Sequence, residues 1–306
     1  MTTDQLTEIV LPGEVAPDGL RVRTSPVPAP AAGQALIRME ATGVSFAEQQ
    51  MRRGRYYDQP AFPFVPGYDV VGIVEAVGDG ADPAEAETVV VNGITAWQML
   101  RRKARVQSGG TILVHGANGG VGSTLVQLAR AAGIRVIGTA APRHHDRLRA
   151  LGVIPVDYHA DVPAAVRAIA PNGVDAVFDH LGIASVPGSW RLLARGGTLV
   201  SYGSAATRDD SGSKQLPVLK ILARVWLWNA LPNGRHAYFY NIWAGRGLSK
   251  RRFRDRLRHD LTQVLRSMAE GRITAQVAAR FPLARAADAL TLAESGTVAG
   301  KVVLTP

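Results

Sequence analysis

The stretch Thr111-Ile-Leu-Val-His-Gly-Ala-Asn-Gly-Gly-Val-Gly-Ser123 restricts the fold of this chain more than any other. Ile112, Leu113 and Val114 form an apolar run of the kind that makes a buried strand. Glycines then permit a tight turn, and Val121, Leu125, Val126 and Leu128 begin a helix whose N-terminus faces that turn. The backbone N–H groups left free at such a helix end, together with the helix dipole, attract a pyrophosphate. Ala117, Gly119 and Gly122 fill the three slots of the dinucleotide fingerprint, with alanine in the first. The expected backbone cradle is therefore Ala117, Asn118, Gly119, Gly120, Val121 and Gly122. Gly133 is placed to stop the helix, and Arg135-Val-Ile-Gly-Thr139 reads as the second strand of a βαβ unit.

The end of that second strand indicates which dinucleotide. NAD-binding versions carry Asp or Glu about 20 residues after the first glycine slot, where it accepts hydrogen bonds from the adenosine ribose. Here the text is Thr139-Ala-Ala-Pro-Arg-His-His145, with no acid before Asp146. A carboxylate would repel a 2′-phosphate, whereas Thr139, Arg143 and the two histidines, His144 and His145, can donate to one. The expectation is NADP(H). The alternative is that Arg143, His144 and His145 only solvate the start of the next helix.

Hydrophobic residues make up 46% of the 306 positions and charged residues 20%, an ordinary globular balance with room for two domains. The chain has no cysteine, which removes disulfides, thiol catalysis and cysteine-ligated zinc together. Residues 1–10 lack the apolar segment of a signal peptide. The apolar stretch 216–231 is interrupted by Lys220, Arg224 and Asn229, so a soluble cytoplasmic protein without a membrane span is expected. The net charge of +10 raises the question of a nucleic-acid partner. Much of the excess lies in Lys250-Arg-Arg-Phe-Arg-Asp-Arg-Leu-Arg-His259, where Phe253, Leu257, Leu261, Val264 and Leu265 recur at helical spacing. The basic residues then form the solvated face of an amphipathic helix, and this reading is preferred to nucleic-acid binding.

Along the chain, residues 1 to about 85 read as β-rich, with strands over 35–41 and 70–77. From about 86 helices and strands alternate, as in a parallel sheet covered on both faces. Its strands are expected near 111–115, 135–139, 154–156, 174–179 and 197–202, and 299–304 reads as a last short strand.

Several separate blocks resemble the medium-chain dehydrogenase/reductases, specifically their zinc-free quinone oxidoreductase branch. They are Gly43-Val-Ser-Phe-Ala47, Arg53-Gly-Arg-Tyr56, Phe64-Val-Pro-Gly-Tyr-Asp-Val-Val-Gly72 and Gly93-Ile-Thr-Ala-Trp-Gln98, then residues 115–122, Phe178-Asp179, Gly196-Gly-Thr-Leu-Val200 and Gly300-Lys-Val-Val-Leu304. The resemblance spans nearly the whole chain in the family's order. It implies an α/β protein with a Rossmann doubly wound parallel sheet over 86–271. A discontinuous GroES-like β-rich substrate domain would be made by 1–85 and 272–306, with the active site in the cleft. The zinc branch needs a cysteine and a histidine where this chain has Ser45 and Tyr68, so no metal is expected. Between Val77 and Gly93 the family normally carries several further strands that this sequence lacks. A natural deletion, a covering partner or a missing segment would each account for that.

The resemblance also implies a chemistry: NADPH-dependent hydride transfer to a small apolar carbonyl or quinone, in a homodimer. Tyr56 stands where the family keeps a cleft tyrosine, a candidate donor to the acceptor's oxygen, with Tyr57 beside it; a surface loop tyrosine is the alternative. Ser45 stands where the family usually has an asparagine near the nicotinamide ribose. Tyr158 is implied at the adenosine phosphate end, and Gly203 and Ser204 near the nicotinamide. Asp179 is as suited to anchoring a loop as to touching ligand, and Lys301 to the surface as to the cofactor phosphate. The aromatic-rich residues 216–243 suit a substrate pocket, a dimer interface or ordinary core alike. A catalytically inactive nucleotide-binding or nucleic-acid-associated protein on the same fold is the competing function.

Overall fold

A computed structural model of the chain describes residues 5–31, 35–56, 59–67, 70–77, 91–203, 216–274 and 276–305. They fall into two compact units, one within Met1–Val91, Arg251–Leu261 and Val277–Pro306, the other within Asn92–Lys250 and Thr262–Gln276.

The first unit opens with an antiparallel pair, β1 (Gln5–Val10) and β2 (Arg21–Pro26). β3 (Ala35–Val44), α1 (Phe46–Arg52) and β4 (Val70–Val77) follow, and β3 and β4 pair antiparallel. The segment 78–90, where the family's extra strands were expected to be missing, lies outside the described residues.

The second unit begins with α2 (Val91–Trp97), which runs into a π-helical stretch at Gln98–Ala104. Strands and helices then alternate: β5 (Thr111–Val114), α3 (Gly120–Ala131), β6 (Arg135–Ala140), α4 (His145–Ala150), β7 (Ile154–Asp157), α5 (Val162–Ile169), β8 (Val174–Asp179), α6 (Val186–Arg191) and β9 (Leu193–Ser201). α7 (Leu216–Ala230) and β10 (His236–Phe239) complete the series; α8 (Lys250–Ala269) follows, its residues 251–261 belonging to the first unit and those from Thr262 to the second. All neighbours in the sheet are parallel, in the order β10-β9-β8-β5-β6-β7. This is the doubly wound arrangement, and strand order reverses between β5 and β8.

The apolar strands follow from burial on both faces. Ile112 and Val114 pack into one core with Val136, Ala176, Phe178 and Val200, while Leu113 packs into the other with Ile137, Val177 and Leu199. Successive strand residues point to opposite faces, so a sheet covered on both sides needs an unbroken apolar run.

The chain then returns to the first unit through β11 (Val277–Pro282), α9 (Ala286–Glu294) and β12 (Lys301–Thr305). These complete a four-stranded sheet of order β11-β12-β3-β4. Arg52 of α1 is buried and makes a bidentate pair with Glu294 of α9, at 2.6 and 2.7 Å from Nη2 to the two carboxylate oxygens.

Four sequence expectations need adjustment. β1, β2, β10 and β11 went unread. β9 starts at Leu193 and runs through Gly196 and Gly197, four residues earlier than the expected 197–202. In α8, Phe253, Leu257, Leu261 and Val264 are buried, but Leu265 is 50% exposed. The buried stripe includes Asp260 instead, which shares that face at helical spacing. The aromatic-rich stretch splits between uses: Trp228 stacks on Trp190 at 4.5 Å and Tyr240 is buried with its hydroxyl donating to Gln98 Oε1, whereas Trp226 is 73% exposed.

Candidate dinucleotide site

Turn geometry at the end of β5 makes the loop. Gly116 adopts φ +62°, a left-handed conformation that side chains disfavour, and so reverses the chain. The Ala117 N–H donates to Thr139 O at 3.0 Å, and the Gly119 N–H to Gly116 O at 3.0 Å. Helix α3 then starts on Gly119 as N-cap, and its first intrahelical bond is from the Ser123 N–H to Gly119 O at 2.8 Å. The N–H groups of Gly120, Val121 and Gly122 precede that bond and form the positive end of the helix. Gly122 packs directly on the turn: a Cβ there would lie 2.2 Å from Gly116 O. The alanine in the first slot is accommodated by β6, where a Cβ on Gly138 would come within 2.6 Å of Ala117 Cβ. Asn92 of α2 also reaches this place, its Nδ2 beside Gly120. It stands too far from the loop in sequence for any motif to have signalled it.

The turn rests on a buried polar relay. Thr139 Oγ1 accepts from the Gly116 N–H at 3.1 Å and lies 3.3 Å from His115 Nδ1. His115 Nε2 lies 3.2 Å from Ser189 Oγ, which in turn donates to Asp179 Oδ2 at 2.7 Å. Because the Ser189 proton is committed to the carboxylate, Ser189 must accept from His115 Nε2–H. His115 Nδ1 is then an acceptor for the Thr139 hydroxyl, and the imidazole is neutral. Burial, opposed by the Asp179 charge, lowers the His115 pKa, in agreement with that tautomer. Asp179 also accepts from Ser185 Oγ at 2.8 Å and the Leu181 N–H at 2.9 Å. It anchors the loop after β8 and is fully buried, so the loop-anchoring role holds.

The residues singled out for the adenosine end are distributed as follows. Arg143 is exposed in the short 3-10 turn Pro142–His144 that follows β6, and its Nε donates to His144 Nε2 at 3.3 Å. His144 is buried, and its pKa is lowered by burial and then by Arg143 and Arg147. It therefore orients Arg143 as a neutral acceptor and does not add a cation of its own. Thr139 is 2% exposed with its hydroxyl in the relay, so it shapes the turn and presents no free donor to a 2′-phosphate. Tyr158, after β7, is 50% exposed and rests against His159 at 4.1 Å. Gly203 follows β9 and abuts the backbone of His180, while Ser204 lies outside the described residues.

The residues expected to serve the acceptor lie in the first unit. Ser45 caps α1: its hydroxyl accepts from the Ala47 N–H at 3.2 Å and donates to Glu48 Oε2, and Glu48 accepts from the Ser45 N–H at 2.8 Å. This is a capping box, and it occupies the hydroxyl that was expected near a ribose. Tyr56 is half-buried in the segment after α1, and Tyr57 and Tyr68 lie outside the described residues. Lys301 lies across Gly43 of the neighbouring strand, where a Cβ would meet its side chain. Among the described residues there is no group of three or more His, Cys, Asp or Glu able to hold a metal ion. No described helix is long and apolar enough to cross a membrane.

Comparison with known proteins agrees with this architecture. Residues 31–136 match the alcohol dehydrogenase GroES-like domain, and residues 148–304 match the family described as zinc-binding dehydrogenase. The human synaptic vesicle membrane protein VAT-1 homolog is 34% identical over 262 residues, covering 72% of this chain and 65% of that protein. The chain thus spans about two thirds of that relative. Human quinone oxidoreductase is 29% identical over 251 residues, covering 67% of this chain and 76% of the enzyme. Among solved structures, a mycobacterial protein complexed with NADPH superposes with a TM-score of 0.79 at 26% identity, covering 98% of this chain and 99% of the other. The doubly wound sheet, the glycine turn and two matched domain families in the family's order lead to one conclusion: the chain belongs to the medium-chain dehydrogenase/reductase family.

Proposed function

We propose that this chain is an NADPH-dependent oxidoreductase that reduces quinones or α,β-unsaturated carbonyls without a metal. The observation that carries the reading is the end of β6, where no carboxylate precedes Asp146 and Arg143 lies exposed in the turn that follows. The NADPH found in the mycobacterial relative and the activity named for human quinone oxidoreductase support it. The cradle suits a dinucleotide, because the absent side chain at Gly122 lets the helix end close on the turn.

When bound, the reduced nicotinamide supplies hydride. The helix-start amides of Gly120, Val121 and Gly122 would hold the pyrophosphate, whereas those of Ala117 and Gly119 are spent within the turn; Arg143 would pair with the 2′-phosphate, and Tyr158 would cover the adenosine end. Gly203 and Ser204 border the nicotinamide end. Tyr56 donates a hydrogen bond to the acceptor's oxygen, where negative charge develops. Ser45 contributes by fixing the start of α1. A homodimer is the proposed assembly.

The test is a fluorescence titration with NADPH and NADH, followed by NADPH oxidation across a panel of quinones and enones. Tighter binding of NADPH, turnover with at least one acceptor class, and a loss of affinity in Arg143→Ala confined to NADPH are expected. Equal losses for both cofactors would refute the phosphate assignment. Binding without turnover on every acceptor would favour the nucleotide-binding reading, to which the short segment between Val77 and Gly93 lends weight.

A further inference from the structure

His180 belongs to no motif and has no part in the relay beneath the turn, yet it occupies the point where strand order reverses. It directly follows β8, and Gly116 follows β5, the adjacent strand across the switch. The His115 N–H donates to Phe178 O at 3.0 Å, so the two strand ends stay paired up to this place. The imidazole stands over Gly116: a Cβ built there would lie 2.5 Å from His180 Cε1. On its other side is Tyr202, with ring centroids 5.8 Å apart, and Gly203 abuts the His180 backbone. Nδ1 of this ring is buried and makes no hydrogen bond. Buried polar atoms are nearly always satisfied, so an orphan asks for an explanation, and beside the crevice of a dinucleotide fold a ligand atom supplies one. In doubly wound sheets the crevice at the switch point takes the dinucleotide, and β8 opens the second mononucleotide half.

We infer that His180 hydrogen-bonds the nicotinamide half of the bound dinucleotide, its ring held in place by Gly116 and Tyr202. The inference rests on the reading of this chain as an NADPH-binding protein. Burial lowers the His180 pKa to about 4, against a smaller opposing effect of Asp179, so the ring is neutral at physiological pH. It therefore contributes a directional hydrogen bond and no charge.

The experiment compares two probes on the full chain, NADPH and 2′,5′-ADP, which carries the adenosine half alone. His180→Phe keeps a flat ring but removes the polar atom, and His180→Asn keeps a polar atom near the position of Nδ1. His180→Phe should weaken NADPH about tenfold, the worth of one hydrogen bond, with 2′,5′-ADP binding unchanged and His180→Asn close to wild type. Equal loss of both probes in His180→Phe, or no loss of either, overturns the inference. NMR of the wild-type histidine rings gives a readout free of folding defects: one imidazole should respond to NADPH but not to 2′,5′-ADP, and its signal should be missing in His180→Asn. No such ring refutes the contact. Wild-type chain that binds neither probe refutes instead the dinucleotide reading on which the contact depends.

Discussion

The sharpest test of the loop is Gly122→Ala. The added Cβ would lie 2.2 Å from Gly116 O and 3.0 Å from Ala117 Cα, both of them backbone atoms with no flexible end to move aside. Restoring ordinary contact at roughly 3.5 Å requires the turn and the helix start to separate by about 1 Å. A misplacement of that size costs about 100-fold in a site that depends on fixed geometry. NADPH affinity should therefore fall about 100-fold. Overpacking of this kind also costs about 1–3 kcal/mol, at about 2–4 °C each for a domain of this size. Gly119→Ala is the internal control, because its Cβ would sit 3.4 Å from the nearest atom, at ordinary contact. That variant loses at most about 1 kcal/mol at the N-cap, but its methyl enters the space through which a pyrophosphate approaches. It should melt close to wild type and still bind poorly. Fluorescence titration and thermal melting, run side by side, give both quantities. Gly122→Ala that binds NADPH within about threefold of wild type would refute the close-approach argument.

Asp179→Ala removes the acceptor for Ser189, Ser185 and the Leu181 N–H, and should cost about 3 kcal/mol; a thermal midpoint within experimental error of wild type would show that the relay adds nothing to stability. Glu294→Gln leaves the buried Arg52 guanidinium without its counter-charge and should also cost about 3 kcal/mol by urea titration, whereas a neutral result would mean that solvent reaches Arg52. The folded-state pKa values of His115, His144 and His180 are all depressed, so their contribution to stability is fully present above about pH 6.5 and is lost as pH falls. For His180, with a folded pKa of about 4, the loss approaches about 3 kcal/mol by pH 4. Melting followed from pH 7.5 down to 4.5 should show the decline, and His180→Asn should blunt it; an identical profile in that variant would be the contrary result.

The parallel sheet was legible because it is buried on both faces, which writes unbroken apolar runs such as Ile112-Leu113-Val114 into the sequence. The pyrophosphate turn was legible because glycine is the only residue that solves its steric problem. β2 was not, since Arg21-Val-Arg-Thr-Ser-Pro26 is almost wholly exposed and carries no alternation. β10 hid within an aromatic run that suits helix or strand alike. Arg143 was singled out from local chemistry, the absence of an acid beside it, and the structure places it in the exposed turn after β6. Thr139 looked like a donor for the same reason, but its hydroxyl faces inward, toward His115 and Gly116 just after β5, a meeting that sequence distance conceals. Ser45 looked catalytic by position, and the Glu48 three residues later was the overlooked capping signal. His180 carried no signal, because its significance comes from a glycine on another strand.

The chain of donors from Thr139 through His115 and Ser189 to Asp179 fastens together the ends of three neighbouring strands. The ordering that a mobile phosphate loop would undergo at each encounter is here completed once, when the polypeptide folds. Arrival of the dinucleotide is then a matter of diffusion and phosphate attraction, quick at low ionic strength and slower as salt is raised. On the proposed reading, discrimination between the phosphorylated and unphosphorylated nicotinamide nucleotides falls mostly to how long each one stays.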